Sequence, residues 1–123
     1  IHAISDLKKI GADAQRLVLN KFWPGPVSVI LPCPSKKFSY LHRGTKSMAF
    51  RMPKKKSLIQ ILEKTGPLAA PSANPENFPP ARNIAEAKKY FGKKVDFYLA
   101  GGKPQKRPSR LIKIENGKEI ILR

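Results

Sequence analysis

Ser72 and Asn74 stand two residues apart between Pro71 and Pro75, in the run Gly-Pro-Leu-Ala-Ala-Pro-Ser-Ala-Asn-Pro at 66–75. A hydroxyl and a carboxamide offer both donors and acceptors. The flanking prolines fix φ, so the two groups are presented in a pre-set geometry. Leu68 to Ala70 is a short apolar run, read as a strand, which puts the loop where open α/β sheets bind ligands. On the residues alone, an ordinary Pro-rich turn and a ligand-binding loop both remain open. Arg51 lies in another largely apolar run, Ser47 to Met52. No Ser-His-Asp or Cys-His arrangement is evident. His2 and His42 lie far apart without ligand-like spacing, which argues against a zinc site.

The charge is lopsided, 25 Lys+Arg against 8 Asp+Glu for a net +17. Such an excess favours polyanionic partners: RNA, DNA or nucleotide phosphates. Many lysines fall in short solvated runs such as Lys36-Lys37, Lys54-Lys55-Lys56, Lys88-Lys89 and Lys93-Lys94. Cys33 is the single cysteine, so an intrachain disulfide is excluded and a reducing cytoplasm fits. No apolar run approaches the roughly 18 residues that span a membrane, and the N-terminus does not read as a signal peptide. The sequence opens on Ile1 without a methionine, and is read as a fragment or a processed chain.

The elements that must position these groups follow from periodicity. Residues 5–21 read as an amphipathic helix capped by Ser5, with Leu7, Ile10, Ala14, Leu17 and Val18 on one face. Phe22-Trp23-Pro24-Gly25-Pro26 ends it, the aromatics packing beneath the turn. Val27 to Leu31 reads as a buried strand, 32–46 as a loop, and Ser47 to Met52 as a second strand stopped by Pro53. Residues 57–64 read as a helix with Leu58, Ile61 and Leu62 buried and Gly66 near its C-cap. Asn83 opens a further helix, with Glu86 in capping-box spacing, that ends near Gly92. Asp96 to Leu99 reads as a strand, and Gly101-Gly102 as a turn rather than a phosphate cradle, because no Lys-Ser/Thr pattern follows it. Leu111–Ile114 and Glu119–Leu122 flank Asn116-Gly117, a type I′ hairpin signal. The expected fold is one α/β (α+β) domain over 1–123 with a mixed sheet.

Several pieces now stand in order: Lys21-Phe22-Trp23-Pro24-Gly25-Pro26-Val27-Ser28, then Phe50-Arg51-Met52-Pro53, then Ala69-Ala70-Pro71-Ser72-Ala73-Asn74-Pro75, then Ser109 and Arg123. Together they resemble the YrdC-like family of threonylcarbamoyl-AMP synthases, the TsaC proteins and their YciO-like relatives. The resemblance runs over nearly the whole chain. It implies a twisted mixed β-sheet with flanking helices around a basic concave cavity. The implied reaction joins ATP, L-threonine and bicarbonate into threonylcarbamoyl-adenylate and pyrophosphate. It serves the t6A modification of tRNA adenosine 37, together with a transferase machinery. Mg²⁺ accompanying ATP, and double-stranded RNA or tRNA as a partner, come with the same resemblance. Two alternatives stay open: an RNA-binding module that keeps the fold without synthesis, and a YciO-like relative acting on another substrate.

Roles carry over position by position. The resemblance puts Ser47, Ser72, Asn74, Pro80 and Arg123 at ATP, and Arg51, Ala70 and Ser109 at threonine. It assigns no catalytic side chain and no protein metal ligand. Three departures accompany it. A Pro-Thr-x-Thr-like segment and a Lys-x-Arg motif of the family have no counterpart here, so the chain is expected to start about one third of the way into the domain and to be inactive alone. The family's Ser-Thr pair reads Ser109-Arg110. The Gly-containing segment after the Ser-x-Asn loop reads Glu76-Asn77-Phe78, so that loop is expected to hold a different shape.

Overall fold

Val27, Val29 and Leu31 alternate with Ser28, Ile30 and Pro32, and this period of two builds β1 (Val27–Pro32), with its odd-numbered residues buried and the intervening ones more exposed. The computed structural model describes residues 1–12, 16–101, 108–115 and 118–123, with the backbone alone at 16 and 17. Packing groups the chain into two units, Ile1–Leu68 with Pro108–Arg123, and Ala69–Arg107.

The first unit holds a four-stranded mixed sheet in the order β2-β1-β3-β4, as the α/β reading required. β2 (Ser47–Phe50) pairs antiparallel with β1, Val29 opposite Phe50 and Pro32 opposite Ser47. β3 (Arg110–Glu115) runs parallel to β1, Val27 opposite Arg110 and Val29 opposite Ile112. β4 (Lys118–Ile121) returns antiparallel to β3, Ile112 opposite Ile121. The hairpin is therefore present, while its Asn116-Gly117 turn lies outside the described residues. One face of the sheet carries the core. Val29 and Ile112 have no exposed surface, and Leu7, Leu19, Trp23, Leu31 and Phe50 join them. Complete burial of a side chain of this size is worth about 1.5–3 kcal/mol. Trp23 is core, as its sequence context predicts, and its indole N–H donates to the Val27 carbonyl at 2.8 Å.

The single helix expected over 5–21 is instead α1 (Ser5–Ile10) and α2 (Arg16–Leu19), separate elements. Gly11 turns left-handed at φ 72°, and its N–H closes on the Lys8 carbonyl. Ser5 does not cap α1: the N-cap is Ile4. The buried Asp6 carboxylate accepts from the His2 and Ala3 N–H groups at 3.1 and 3.2 Å. Ala14 and the Leu17 side chain fall outside the described residues. The loop expected over 32–46 also contains a 3₁₀ turn, Lys36–Phe38, and a short helix α3 (Ser39–His42). β2 ends at Phe50 rather than Met52.

Helix α4 (Lys56–Thr65) matches its predicted span within one residue at each end, and the Gly66 N–H returns to the Leu62 carbonyl. Only Leu62 of its apolar stripe is buried; Leu58 and Ile61 remain exposed. In the second unit α5 (Ile84–Phe91) starts as expected, the Asn83 side chain accepting from the Glu86 N–H at 2.9 Å. The Glu86 carboxylate reaches back to the Arg82 N–H at 2.8 Å. Hydrogen bonding from Arg82, backbone first, holds that carboxyl below its ordinary range. Neither residues 68–70 nor residues 96–99 form a strand. Pro67 and Pro71 bracket the first run and cannot donate to a ladder. In the second, the Tyr98 hydroxyl donates to the Gly92 carbonyl at 2.7 Å, and Lys88 sits over the Tyr98 ring, 5.8 Å from its centroid. That segment folds back on the C-terminal end of α5 instead of joining a sheet.

Candidate functional site

Burial of Val27, Val29 and Leu31 against the core turns Ser28 and Ile30 to the other face of the sheet. The same alternation turns Ser47 and Ala49 of β2, and Arg51 just beyond it, to that face, because Phe50 is core. In β3 it turns Leu111 and Lys113 there, because Ile112 is core. This second face thus carries a guanidinium, several hydroxyls and an ammonium over a floor of small and aliphatic side chains. Those groups are suited to holding carboxylate and phosphate.

Two of the three residues that the resemblance puts at threonine, Arg51 and Ser109, meet here. The Arg51 guanidinium donates to the Ser109 hydroxyl. Arg51 is also tied through its carbonyl, which accepts from the Ile1 nitrogen at 3.1 Å. Gly25 N–H donates to the neighbouring Met52 carbonyl at 2.9 Å, so the Trp-Pro-Gly-Pro turn braces the exit of β2. Ser47 lies on the same face at the far end of β2, its carbonyl accepting from the Thr45 hydroxyl at 3.2 Å. Arg123 follows β4. Its carbonyl accepts from the Leu111 N–H at 2.8 Å, while the N–H groups of Leu122 and Arg123 both reach the Leu111 carbonyl. Two residues therefore face one, the pattern of a β-bulge, which anchors the Arg123 backbone and leaves its side chain exposed.

Arg110 sits on the opposite side of β3. It pairs with Val27, its N–H donates to the Pro26 carbonyl at 3.0 Å, and it shares the face of Ile112 and Ile114. Strand alternation turns its cation away from the Arg51–Ser109 pair. The sequence reading gave no role to Ser28 or Lys113. Lys113 forms an ion pair with Glu115, two residues on and on the same face. The visible signal for Ser28 is a polar residue inside a β-branched run.

Ala70, Ser72, Asn74 and Pro80 belong to the second unit. The Asn74 N–H donates to the Ser72 carbonyl at 2.9 Å, and the Asn74 carboxamide donates to the Pro75 carbonyl at 3.0 Å. The Ala81 N–H closes the loop on the Ala73 carbonyl at 2.9 Å. Asn77 takes the left-handed conformation at φ 66°, which asparagine adopts more readily than other non-glycine residues. Phe78 then meets Tyr90 of α5 edge-to-face, ring centroids 5.9 Å apart. The loop is thus held by its own hydrogen bonds and by packing on α5. Ala70, Ser72 and Pro80 are exposed. The Asn74 side-chain oxygen is buried and has no hydrogen-bond partner among the described residues. A buried acceptor left unpaired costs about 1–3 kcal/mol, so this oxygen calls for a donor.

Among the described residues no group of three His, Cys, Asp or Glu comes together as a metal site, and no helix is long and apolar enough to cross a membrane. Comparison with known proteins gives a consistent answer. The profile of the family described as Sua5_yciO_yrdC, telomere recombination, matches residues 1–123. A threonylcarbamoyl-AMP synthase of Marinobacter nauticus is 34% identical over 111 residues, 88% of this chain and 58% of the relative. A putative threonylcarbamoyl-AMP synthase of Mycobacterium tuberculosis is 31% identical over 124 residues, 99% of this chain and 57% of the relative. The chain thus spans little more than half the length of these relatives. The crystal structure of P. abyssi Sua5 complexed with L-threonine superposes with a TM-score of 0.85 at 25% identity, over 100% of this chain and 38% of that one.

Proposed function

Because the chain belongs to the Sua5/YciO/YrdC family, we propose that it carries part of the site of a threonylcarbamoyl-AMP synthase. The reaction joins L-threonine, bicarbonate and ATP and releases pyrophosphate. The observation that carries this reading is the Arg51–Ser109 hydrogen bond on the sheet's second face, in a chain similar to a protein solved with L-threonine.

Bicarbonate and the threonine amine condense to a carbamate, the new N–C bond replacing a C–O bond of bicarbonate as water leaves. A carbamate oxygen then attacks the α-phosphorus, and the bond from that phosphorus to the β-bridging oxygen breaks to release pyrophosphate. Such a step needs positioning and charge neutralisation more than a protein nucleophile. In the first unit Arg51 holds the threonine carboxylate, with the Ser109 hydroxyl fixing the guanidinium; in the second, the Ala70 backbone is the group assigned to threonine. Ser47, Ser72, Asn74, Pro80 and Arg123 contact ATP, the unpaired Asn74 oxygen accepting from the nucleotide. Mg²⁺ is commonly held by substrate phosphates and one or two carboxylates. Here it would travel on ATP, where it would add positive charge. The product then serves threonylcarbamoylation of tRNA in the cytoplasm, with a transferase as the next partner.

Calorimetric titration with ATP, with and without L-threonine, tests the site, and pyrophosphate release with bicarbonate present tests the reaction. Binding of ATP that tightens with threonine supports it; no heat from either ligand rejects it. A second reading, a duplex-RNA or tRNA-binding module, is favoured by the net charge of +17 and by the exposed Lys88, Lys89, Lys93 and Lys94 around the end of α5. It calls for RNA affinity that falls steeply with salt and for no ATP binding that tightens with threonine.

A further inference from the structure

Ser28 is the one polar side chain of the central strand, and the register shows what it faces. β1 is flanked by β2 on one edge and by β3 on the other, which fixes its backbone from both sides. Ser28 is opposite Leu111 in β3, two residues after Ser109 and on the same face. On the other edge Val29 is opposite Phe50, so one step further puts Ser28 beside Arg51. The hydroxyl therefore lies on the second face, between Arg51 and the 109–111 segment, where the guanidinium meets Ser109. The residue is half-buried, and no hydrogen bond from its hydroxyl is found among the described residues. A β-branched apolar residue suits a central strand better than serine does, so a hydroxyl at this position, beside Arg51 and the 109–111 segment, is best explained by a partner.

We propose that Ser28 is a substrate-binding residue whose hydroxyl donates to the same carboxylate that Arg51 grips. The inference rests on the threonine reading of this site. A carboxylate offers about four lone-pair positions. The Arg51 fork fills two at most, and one of its amino groups already serves Ser109, which leaves lone pairs free for a third donor. A strand hydroxyl is well placed to be that donor, because a group on a rigid element holds its geometry better than one on a loop.

The test is titration of L-threonine, in the presence of ATP, into the full chain and into its Ser28→Ala and Ser28→Thr variants, with ATP titrated separately. Circular dichroism melting checks that each variant folds. Ser28→Ala is expected to weaken threonine about tenfold, the scale of one hydrogen bond to a charged group, and to leave ATP affinity within about twofold. Ser28→Thr keeps the hydroxyl and should recover most of the loss. In an Arg51→Ala background the Ser28→Ala change should cost little more, because the shared carboxylate is no longer held. Unchanged threonine affinity in a folded Ser28→Ala overturns this inference alone, as does a loss confined to ATP. Failure of the unaltered chain to bind threonine overturns the functional reading, and this inference falls with it.

Discussion

The Arg51 guanidinium donates to the Ser109 hydroxyl, joining the exit of β2 to the entry of β3 across 58 positions of sequence. Neither residue lies in a regular element, and the two come together because β1 pairs with β2 on one edge and with β3 on the other. Arg51→Ala is expected to weaken L-threonine binding at least about tenfold, because a hydrogen-bonded charge pair is worth about 1.5–3 kcal/mol. Arg51→Lys should rescue little, since an ammonium lacks the planar fork. Ser109→Ala, which frees the guanidinium without removing it, should cost less. Calorimetry on the three variants gives the order, and threonine affinity untouched by Arg51→Ala would remove Arg51 from the site.

The Asn74 side-chain oxygen, buried without a partner, separates binding from stability. Asn74→Ala gives up one local hydrogen bond, to the Pro75 carbonyl, and also removes the unpaired acceptor. Stability should therefore stay within about 1 kcal/mol of the unaltered chain. ATP affinity should fall about tenfold if that oxygen accepts from the nucleotide. Urea unfolding and ATP titration measure the two quantities. A large stability loss with normal ATP binding would make Asn74 a purely structural residue.

Gly25 is required by space. A Cβ there would stand 2.7 Å from the Phe22 carbonyl oxygen, a backbone atom that cannot swing aside. Gly25→Ala must shift the turn that bonds to Met52 and braces Arg51, at a cost of about 1–3 kcal/mol. Urea denaturation should show it as a lower midpoint with unchanged slope, accompanied by weaker threonine binding.

Asp6 makes stability depend on acid. Burial pushes its carboxyl up, yet the His2 and Ala3 amides, with the His2 and Lys9 charges, outweigh this and hold it below its ordinary range. A carboxyl depressed by folding adds stability that is fully present above its unfolded value, about pH 3.9. That stability is lost as the pH falls through the lower folded value. Asp6→Ala should therefore cost about 1–3 kcal/mol at neutral pH, and the gap should narrow below about pH 4. Unfolding curves for both proteins between pH 7 and pH 3 check the sign; a gap that widens in acid contradicts it.

Local signals were legible where the physics is local. The Asn83–Glu86 cap, the Gly66 and Gly92 helix ends, the two strands of the hairpin and the Trp23 core position all depend on neighbours a few residues away. The failures have a common cause as well. Leu68–Ala70 and Asp96–Leu99 have strand composition, but a strand exists only if another strand accepts its hydrogen bonds. The helix expected over 5–21 has the right apolar spacing, yet Gly11 takes the left-handed turn that ends α1. The N-cap of α1 is Ile4 rather than Ser5, and the buried Asp6 carboxylate inside the helix accepts from two backbone N–H groups that precede it.

By itself, the sequence determined the motif order, the excess of positive charge, the mixed α/β class and the residue types able to hold a carboxylate and a nucleotide. These follow from side-chain chemistry and short-range periodicity. Only the tertiary structure decided which face each strand residue takes. A shift of one position in a strand reverses every side chain, and the reference for that choice is the core partner, which the sequence does not display. Packing of Phe50, Val29 and Ile112 on the core side is what turned Arg51 and Ser28 to the other face, brought Ser109 to the guanidinium, and sent Arg110 away from it.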